Sequence, residues 1–294
     1  MTLIQQKWCD LVKGYTACNL TYTSDKLVAI AGMAQMISRT TQCQYVAGLW
    51  RKDLEHQLLW KVKTPAPAAV RDGTRGPSWS WPSVDGAITW EHWQGGFHYG
   101  VLSEIEWLAR IESCNVETIT PDPFGQVASG SLVISGPLVV LKISDYKPPK
   151  PRRGGGLLEA CDHRPDIFWD SQEFHEQFGS KRTHAIWKYK VYRAGPTRST
   201  SSYGDNIFFM PIRIMHHDYM AEEYESPMLC GLLLLPCTRT RGTYRRVGQL
   251  TLSSQNHQKA FEEGERPLQS GTEITDRRLY QSVHENGEYT IVIV

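Results

Sequence analysis

The strongest structural signal in this chain is the run Met228-Leu229-Cys230-Gly231-Leu232-Leu233-Leu234-Leu235. Its length suits a β-strand, and it is apolar at successive positions, so both faces of the strand are expected to be buried. Such strands are typical of the centre of a sheet that is covered on both sides. We therefore expect Leu229 to Leu235 to form a central strand with neighbours on both edges.

Further strands are predicted on either side of this run in the sequence. Each is a short segment rich in β-branched and aromatic residues, bounded by turn residues. They comprise residues 87–90, 101–107, 130–136, 138–143, 186–192, 207–212 and 244–252. Many short strands with turns between them predict an antiparallel β-sandwich or an open barrel.

The first sixty residues have helical periodicity instead. Apolar side chains recur at helical spacing around Trp8 and again around Ile30, the second time after the cap signal Thr23-Ser24-Asp25. A third short helix is predicted over residues 53–60, before the Pro65 and Pro67 breaks. The expected fold class is mainly β with N-terminal helices, in which two or three helices cover the sandwich or barrel.

We expect residues 1–62 to be a helical segment that packs on a β-rich domain of residues 63–294. Two stretches rich in Pro, Gly and Ser are expected to be flexible insertions, near residues 147–165 and 193–205. They are interpreted as long surface insertions rather than as linkers between domains.

Composition narrows the possible functions. The chain has 294 residues, 40% of them hydrophobic, and a formal net charge of +1, which offers no basic surface for nucleic acid. The N-terminal residues lack the basic and apolar regions of a secretory signal, and no apolar run is long enough to cross a bilayer. Seven cysteines without a CxxC pair argue against a disulfide framework. We expect a cytoplasmic protein with reduced cysteines, and neither nucleic acid nor membrane as a partner.

Several short motifs occur in an order that points to a known family. The motifs are Asp25-Lys26-Leu27, Gly48-Leu49-Trp50, Leu58-Leu59-Trp60, Pro77-Ser78-Trp79-Ser80-Trp81, Asp85-Gly86, Gly231-Leu232-Leu233-Leu234 and Tyr244-Arg245-Arg246-Val247-Gly248. Together they resemble the region that follows the death-inducing domain in fungal heterokaryon incompatibility (HET) proteins. The likeness runs through nearly the whole chain.

The segments typical of the HET domain itself are not found in the sequence. The resemblance therefore implies an accessory region, and it does not carry over the family's cell-death role. Two interpretations stay open, namely a fragment of a longer HET protein and a stand-alone protein with its own role.

One candidate site is an aromatic group that follows the Pro-Ser-Trp-Ser-Trp motif. Aromatic side chains and imidazoles at this density are typical of surfaces that line a ligand. The predicted ligand-binding residues are Trp79, Trp81, Trp90, Trp93, Phe97 and Tyr99, with His92 and His98 as catalytic candidates. The alternative is a structural turn whose tryptophans fill the junction between the helices and the strands.

A second candidate site is His216-His217-Asp218-Tyr219, directly after a predicted strand. An imidazole titrates near neutral pH, and a neighbouring carboxylate can fix its tautomer, so His216 and Asp218 are candidate general acid–base groups. Tyr219 is added to the ligand-binding residues. The alternative is a polar loop. Adjacent residues of an extended chain cannot all face one ion, so no metal site is predicted.

Other patterns carry less chemistry. Cys161-Asp162-His163 and Asp166 could supply a nucleophile, a base and an orienting carboxylate, but we interpret them as loop residues because they follow the Gly-rich stretch. The pairs Arg152-Arg153, Arg245-Arg246 and Arg277-Arg278 are interpreted as solvated faces. The standard motifs of serine hydrolases, nicotinamide enzymes, P-loop enzymes and zincins do not occur.

Two functional hypotheses follow. The first is a stand-alone protein that binds a small hydrophobic organic molecule without a cofactor, and that could act as a cyclase or isomerase of fungal secondary metabolism. If the chain is catalytic, a cofactor-independent cyclase, isomerase or lyase using general acid–base catalysis is expected. The alternative is a non-catalytic module that recognises or regulates a protein partner in non-self recognition.

Overall fold

The fold was determined from a computed structural model. The structure describes residues 3–18, 22–66, 75–90, 104–141, 166–174, 176, 207–216, 228–237, 239–252, 274 and 276–294. Strands account for 41% and helices for 26% of it, so the protein is mainly β, as predicted. The expected insertions near 147–165 and 193–205 and the predicted strand 186–192 lie outside the described residues.

Two helices open the chain, α1 (Leu3–Thr16) and α2 (Lys26–Thr41). Trp8 and Val12, one turn apart on α1, are buried on the same face. Leu27, Ile30 and Ala34 form the matching buried face of α2. Both helices are thus amphipathic in the way that the sequence predicts.

A β-hairpin follows the two helices, within the segment that sequence periodicity marks as helical. It consists of β1 (Tyr45–Val46) and β2 (Leu49–Trp50). The turn between them places Ala47 and Gly48 at φ values of 50° and 94°. The third helix, α3 (Leu54–Gln57), is shorter than predicted because the chain is already extended at Trp60.

Most of the remaining strands belong to one large sheet. Its strands are β5 (Glu104–Trp107), β6 (Arg110–Thr118), β7 (Val127–Gly136), β8 (Val139–Leu141), β9 (Asp166–Trp169), β10 (Ile207–His216), β11 (Met228–Pro236), β12 (Thr243–Leu252), β13 (Ser282–Val283) and β14 (Tyr289–Ile293). A separate pair is formed by β3 (Trp60–Val62) and β4 (Ile88–Trp90), and the short helix α4 (Gln172–Phe174) follows β9. Asp166 lies in β9, so its interpretation as a loop residue is wrong.

The strand order of the sheet is β5-β10-β11-β12-β14-β7-β6, and β8, β9 and β13 pair beside this path. All of these pairings are antiparallel except β12 with β14, which is parallel. Among the described strands the end strands β5 and β6 are not paired with each other, so the sheet is open and no closed barrel forms.

The apolar strand β11 lies between β10 and β12, and the prediction of a central, doubly covered strand is confirmed. Cys230, Leu232 and Leu234 face a larger core that also contains Trp8 and other helix residues. Leu229 and Leu233, on the opposite face, belong to a smaller core. The N-terminal helices thus share one hydrophobic core with the sheet.

Candidate functional site

The Pro-Ser-Trp-Ser-Trp motif lies in the larger core. We use the name aromatic joint for five fully buried tryptophans: Trp8, Trp50, Trp60, Trp79 and Trp81. The joint connects α1, the β1–β2 hairpin and β3 to the motif. The rings of Trp8 and Trp50 meet edge to face, with their centroids 5.5 Å apart, an arrangement that aromatic pairs favour.

The Gly48 carbonyl is the hydrogen-bonding centre of the aromatic joint. It accepts from the indole N–H of Trp81 at 2.8 Å and from that of Trp8 at 3.1 Å. A Cβ at Gly48 would lie 2.6 Å from Trp81 Nε1, and the φ of 94° also disfavours other residues. The glycine in the Gly-Leu-Trp motif is therefore required both by the turn and by the approach of Trp81.

The serines of the motif bind backbone carbonyls. The Ser80 hydroxyl donates to the Ala47 carbonyl, and the Ser78 hydroxyl donates to the Val294 carbonyl. Ser78 Oγ also accepts from the Arg246 backbone N–H at 2.9 Å. The motif thus connects the hairpin turn with β12 and β14, which gives its residues an architectural role.

The predicted ligand-binding tryptophans of the motif are not on a surface. Trp79 and Trp81 have 0% exposure, which matches the structural alternative stated for them. Trp90 is half-buried at the end of β4 and donates from Nε1 to the Gln57 carbonyl at 3.0 Å. His216 is the last residue of β10, where its backbone pairs with Glu104. The other predicted site residues lie outside the described part of the chain, namely His92, Trp93, Phe97, His98, Tyr99, Asp218 and Tyr219.

Sequence reasoning missed two buried arginines on the larger-core face of the sheet. The first is Arg246 on β12, which is 0% exposed, so its interpretation as part of a solvated pair is wrong. Its Nε donates to Asp170 Oδ2 at 3.1 Å, and Nη1 donates to the Leu58 carbonyl at 2.7 Å. Nη2 donates to the Trp60 carbonyl, and the guanidinium carbon lies 3.3 Å from the centroid of the Trp60 ring. The environment of Arg246 combines a counter-ion, carbonyl acceptors and an aromatic face.

The second buried arginine is Arg213 on β10, which is 3% exposed. Its Nη1 lies 2.6 Å from Nδ1 of His56, and the Cys230 thiol is another hydrogen-bond partner. Its Nε has no hydrogen-bond partner among the described residues. No described carboxylate forms an ion pair with this guanidinium. Arg213 is therefore buried with a neutral set of partners.

Register explains why further polar groups gather beside Arg213. Arg213 is opposite Cys230 on β11, and Cys230 is opposite Thr251 on β12. Residues in one such row point to the same face of the sheet. The Cys230 sulfur lies 3.8 Å from Thr251 Oγ1, which accepts from Gln249 Nε2 at 3.0 Å. Gln249 is 1% exposed, and its Oε1 has no partner among the described residues.

Segment 54–62 covers this row with two further polar side chains. His56 comes from α3, and its ring meets that of Trp107 edge to face at 4.4 Å. Lys61 comes from β3, and its Nζ lies 3.7 Å from the centroid of the Phe168 ring. We call the group of six polar side chains the Arg213 cluster: His56, Lys61, Arg213, Cys230, Gln249 and Thr251.

Burial controls the protonation states in the Arg213 cluster. Burial, with the positive charge of Arg213, lowers the pKa of His56 to about 3, so the imidazole is neutral and accepts from Arg213. Burial raises the pKa of the Cys230 thiol, although Arg213 and Lys61 act in the opposite direction. The thiol is therefore protonated and is not a nucleophile near neutral pH. Two cationic side chains remain as the charged groups of the cluster.

The described residues contain no group of three or more His, Cys, Asp or Glu that could hold a metal ion. In the same part of the chain, no helix has the length and apolar character needed to cross a membrane. Neither the protein-family models nor the curated proteins nor the solved structures contain a significant match to this chain.

Proposed function

We propose that this chain is a non-catalytic recognition or regulatory module of a heterokaryon incompatibility type protein. The observation that carries the proposal is the position of the resembling motifs. Four of the five tryptophans in the aromatic joint come from three of these motifs, namely Gly48-Leu49-Trp50, Leu58-Leu59-Trp60 and Pro77 to Trp81. Motif residues that lie in a core indicate a shared fold and not a shared catalytic site. The resemblance implies that this fold is an accessory domain beside an effector domain.

The same observation weakens the enzymatic hypothesis. Trp79 and Trp81 were the predicted walls of a ligand pocket, but their rings are surrounded by protein atoms. His56, the buried imidazole of the Arg213 cluster, has a pKa too low for proton transfer near neutral pH. A cytoplasmic location is part of the proposal, since the described cysteines are free thiols, which suits a reducing compartment.

Mapping the transcript and its reading frame tests this function first. We expect an upstream frame, continuous with this one, that encodes a HET-type effector domain. Deleting the segment for residues 1–294 should then change the incompatibility reaction between strains while the effector is still expressed. A transcript that starts at Met1 beside biosynthetic genes, together with an unchanged incompatibility reaction, would contradict the proposal.

The second candidate function is small-molecule binding, with a cofactor-independent cyclase, isomerase or lyase as its catalytic form. The observation that favours it is the pair of buried atoms without partners, Arg213 Nε and Gln249 Oε1, because a ligand could supply their hydrogen bonds. Its test is turnover by the purified chain with His92→Ala and Asp218→Ala as variants. Turnover that both variants retain would remove His92 and Asp218 as catalytic groups.

A further inference from the structure

Arg213 has a buried positive charge that no described carboxylate neutralises. Placing a charged side chain in an apolar interior is costly unless an opposite charge or several hydrogen bonds accompany it. Arg246 meets this requirement through Asp170 and two backbone carbonyls. Arg213 has an imidazole and a thiol as partners, and its Nε stays unpaired among the described residues.

The unpaired atom belongs to the part of the guanidinium that suits an oxyanion. Nη1 of Arg213 is engaged by His56, so Nε lies on the edge that His56 does not occupy. An arginine edge offers parallel N–H groups that match the two oxygens of a carboxylate or phosphate. The available donors therefore favour a planar or tetrahedral anion over a neutral ligand.

Gln249 can adapt to the same ligand. Its amide nitrogen donates to Thr251 Oγ1, and its amide oxygen is the atom without a partner. Rotating the amide by half a turn lets the oxygen accept from the Thr251 hydroxyl and presents the NH₂ group instead. In this orientation Gln249, two residues before Thr251 on the same face of β12, offers a neutral donor beside the row that contains Arg213.

Lys61 is a second cation near the row, and its charge acts on Cys230 in the middle of the row. Its ammonium lies over the Phe168 ring, and its field acts on the Cys230 thiol between Arg213 and Thr251. Phe168 is opposite Gln249 across β9 and β12, so the ammonium and the amide belong to the same region of the sheet. Positive charge thus flanks Cys230 from two different elements, β3 and β10.

We propose that the Arg213 cluster is a binding site for a small oxyanion, either the carboxylate of an organic molecule or a phosphate group. The anion would pair with Nε of Arg213, accept from the rotated amide of Gln249 and lie in the field of Lys61. Its charge would offset the burial of Arg213, and it would give Nε of Arg213 a hydrogen-bond partner. This inference goes beyond the proposed recognition role and does not depend on it.

Calorimetric titration of the full chain with phosphate and, separately, with benzoate tests the site at constant ionic strength. We expect saturable binding of at least one probe, and the probe that binds identifies the source of the oxyanion. Arg213→Met should weaken that binding by about tenfold or more, because it removes the charged donor. The control Arg278→Met removes an exposed arginine of equal charge and should leave the affinity unchanged.

Gln249→Leu is the second variant, and it keeps the test decisive if Arg213→Met does not fold. It should weaken binding several-fold while changing the stability of the anion-free protein little, because it removes a buried unpaired oxygen together with the hydrogen bond to Thr251. A purely structural glutamine would behave in the opposite way. Failure of both probes to bind, or equal affinity in wild type and in the folded variants, would overturn the proposal.

Discussion

Arg246 and Arg213 lie on the same face of one sheet and are similarly buried, yet their environments differ. Arg246 has a carboxylate, two carbonyls and the Trp60 ring around it. Arg213 has a neutral imidazole, a thiol and one unpaired nitrogen. Burial of a charged side chain therefore does not by itself reveal its role. A buried arginine with a complete set of partners stabilises the fold. A buried arginine with an unpaired donor is available to a ligand.

The largest loss of stability should come from replacing Arg246, whose set of partners is complete. Arg246→Met breaks the buried ion pair with Asp170 and removes the donors of two carbonyls, so we expect a loss of about 3–5 kcal/mol in the free energy of unfolding. Urea denaturation measures it. Arg278→Met, which removes an exposed ion pair with Asp276, is the matched control and should leave the midpoint of the urea denaturation nearly unchanged. Similar losses in the two variants would contradict the structural role of Arg246.

The second largest effect is a pH dependence of stability, and it comes from His56 beside Arg213. The folded-state pKa of His56 is about 3, and the pKa of a free imidazole is about 6.5. Above pH 6.5 neither state binds the proton. As the pH falls from about 6.5 towards 3 only the unfolded chain binds it, so stability decreases, by about 2 kcal/mol at pH 5. Urea denaturation at several pH values measures this decrease.

His56→Gln keeps an acceptor for Arg213 but removes the titration, so its stability should fall less over the same range of pH. Arg213→Met should also make the loss of stability at low pH smaller, because the charge of Arg213 helps to lower the pKa of His56. An unchanged pH dependence in both variants would mean that another group causes it.

A smaller effect is expected in the aromatic joint, where the hydrogen bonds are made by neutral groups. Ser80→Ala removes the donor to the Ala47 carbonyl inside the core, and we expect a loss of about 1–2 kcal/mol. Thermal unfolding measures it. Ser83→Ala, at a half-buried position three residues later, should cost less than half as much. Equal losses would show that the Ser80 contact has no special importance in the joint.

The smallest effect should come from the other arginine. In the absence of an anion, Arg213→Met should change the free energy of unfolding by less than about 1 kcal/mol, since the methionine no longer buries a charge without a counter-ion. The measurement is the same urea denaturation as for Arg246→Met. A loss as large as that of Arg246→Met would remove the distinction between the two arginines.

Periodicity predicted several strands of the large sheet, but it missed the buried strand β14 (Tyr289–Ile293). The predicted segments 207–212 and 244–252 correspond to β10 (Ile207–His216) and β12 (Thr243–Leu252). Sequence reasoning did not predict β6 (Arg110–Thr118), whose burial alternates irregularly because it lies at the edge of the sheet. It also missed β1 and β2, which are too short to establish a period of two.

The candidate site was harder to predict than the fold. Arg213 is a single charged residue within an apolar strand, and its importance depends on His56 and Cys230, which are distant in sequence. Such contacts result from strand register and from the position of α3, and no local motif encodes them. The one available signal was the arginine itself, since a lone cation in a strand this apolar must have partners.

The contact between Ser78 and Val294 joins residues 216 positions apart. A ribosome adds about 5–20 residues per second, so the tryptophan motif emerges roughly 10–40 s before the strand that completes its surroundings. During that time Ser78, beside the two tryptophans, has neither the Arg246 N–H nor the Val294 carbonyl to bind. We expect the nascent chain to depend on chaperones that bind exposed aromatic side chains, and its yield to be sensitive to the speed of translation.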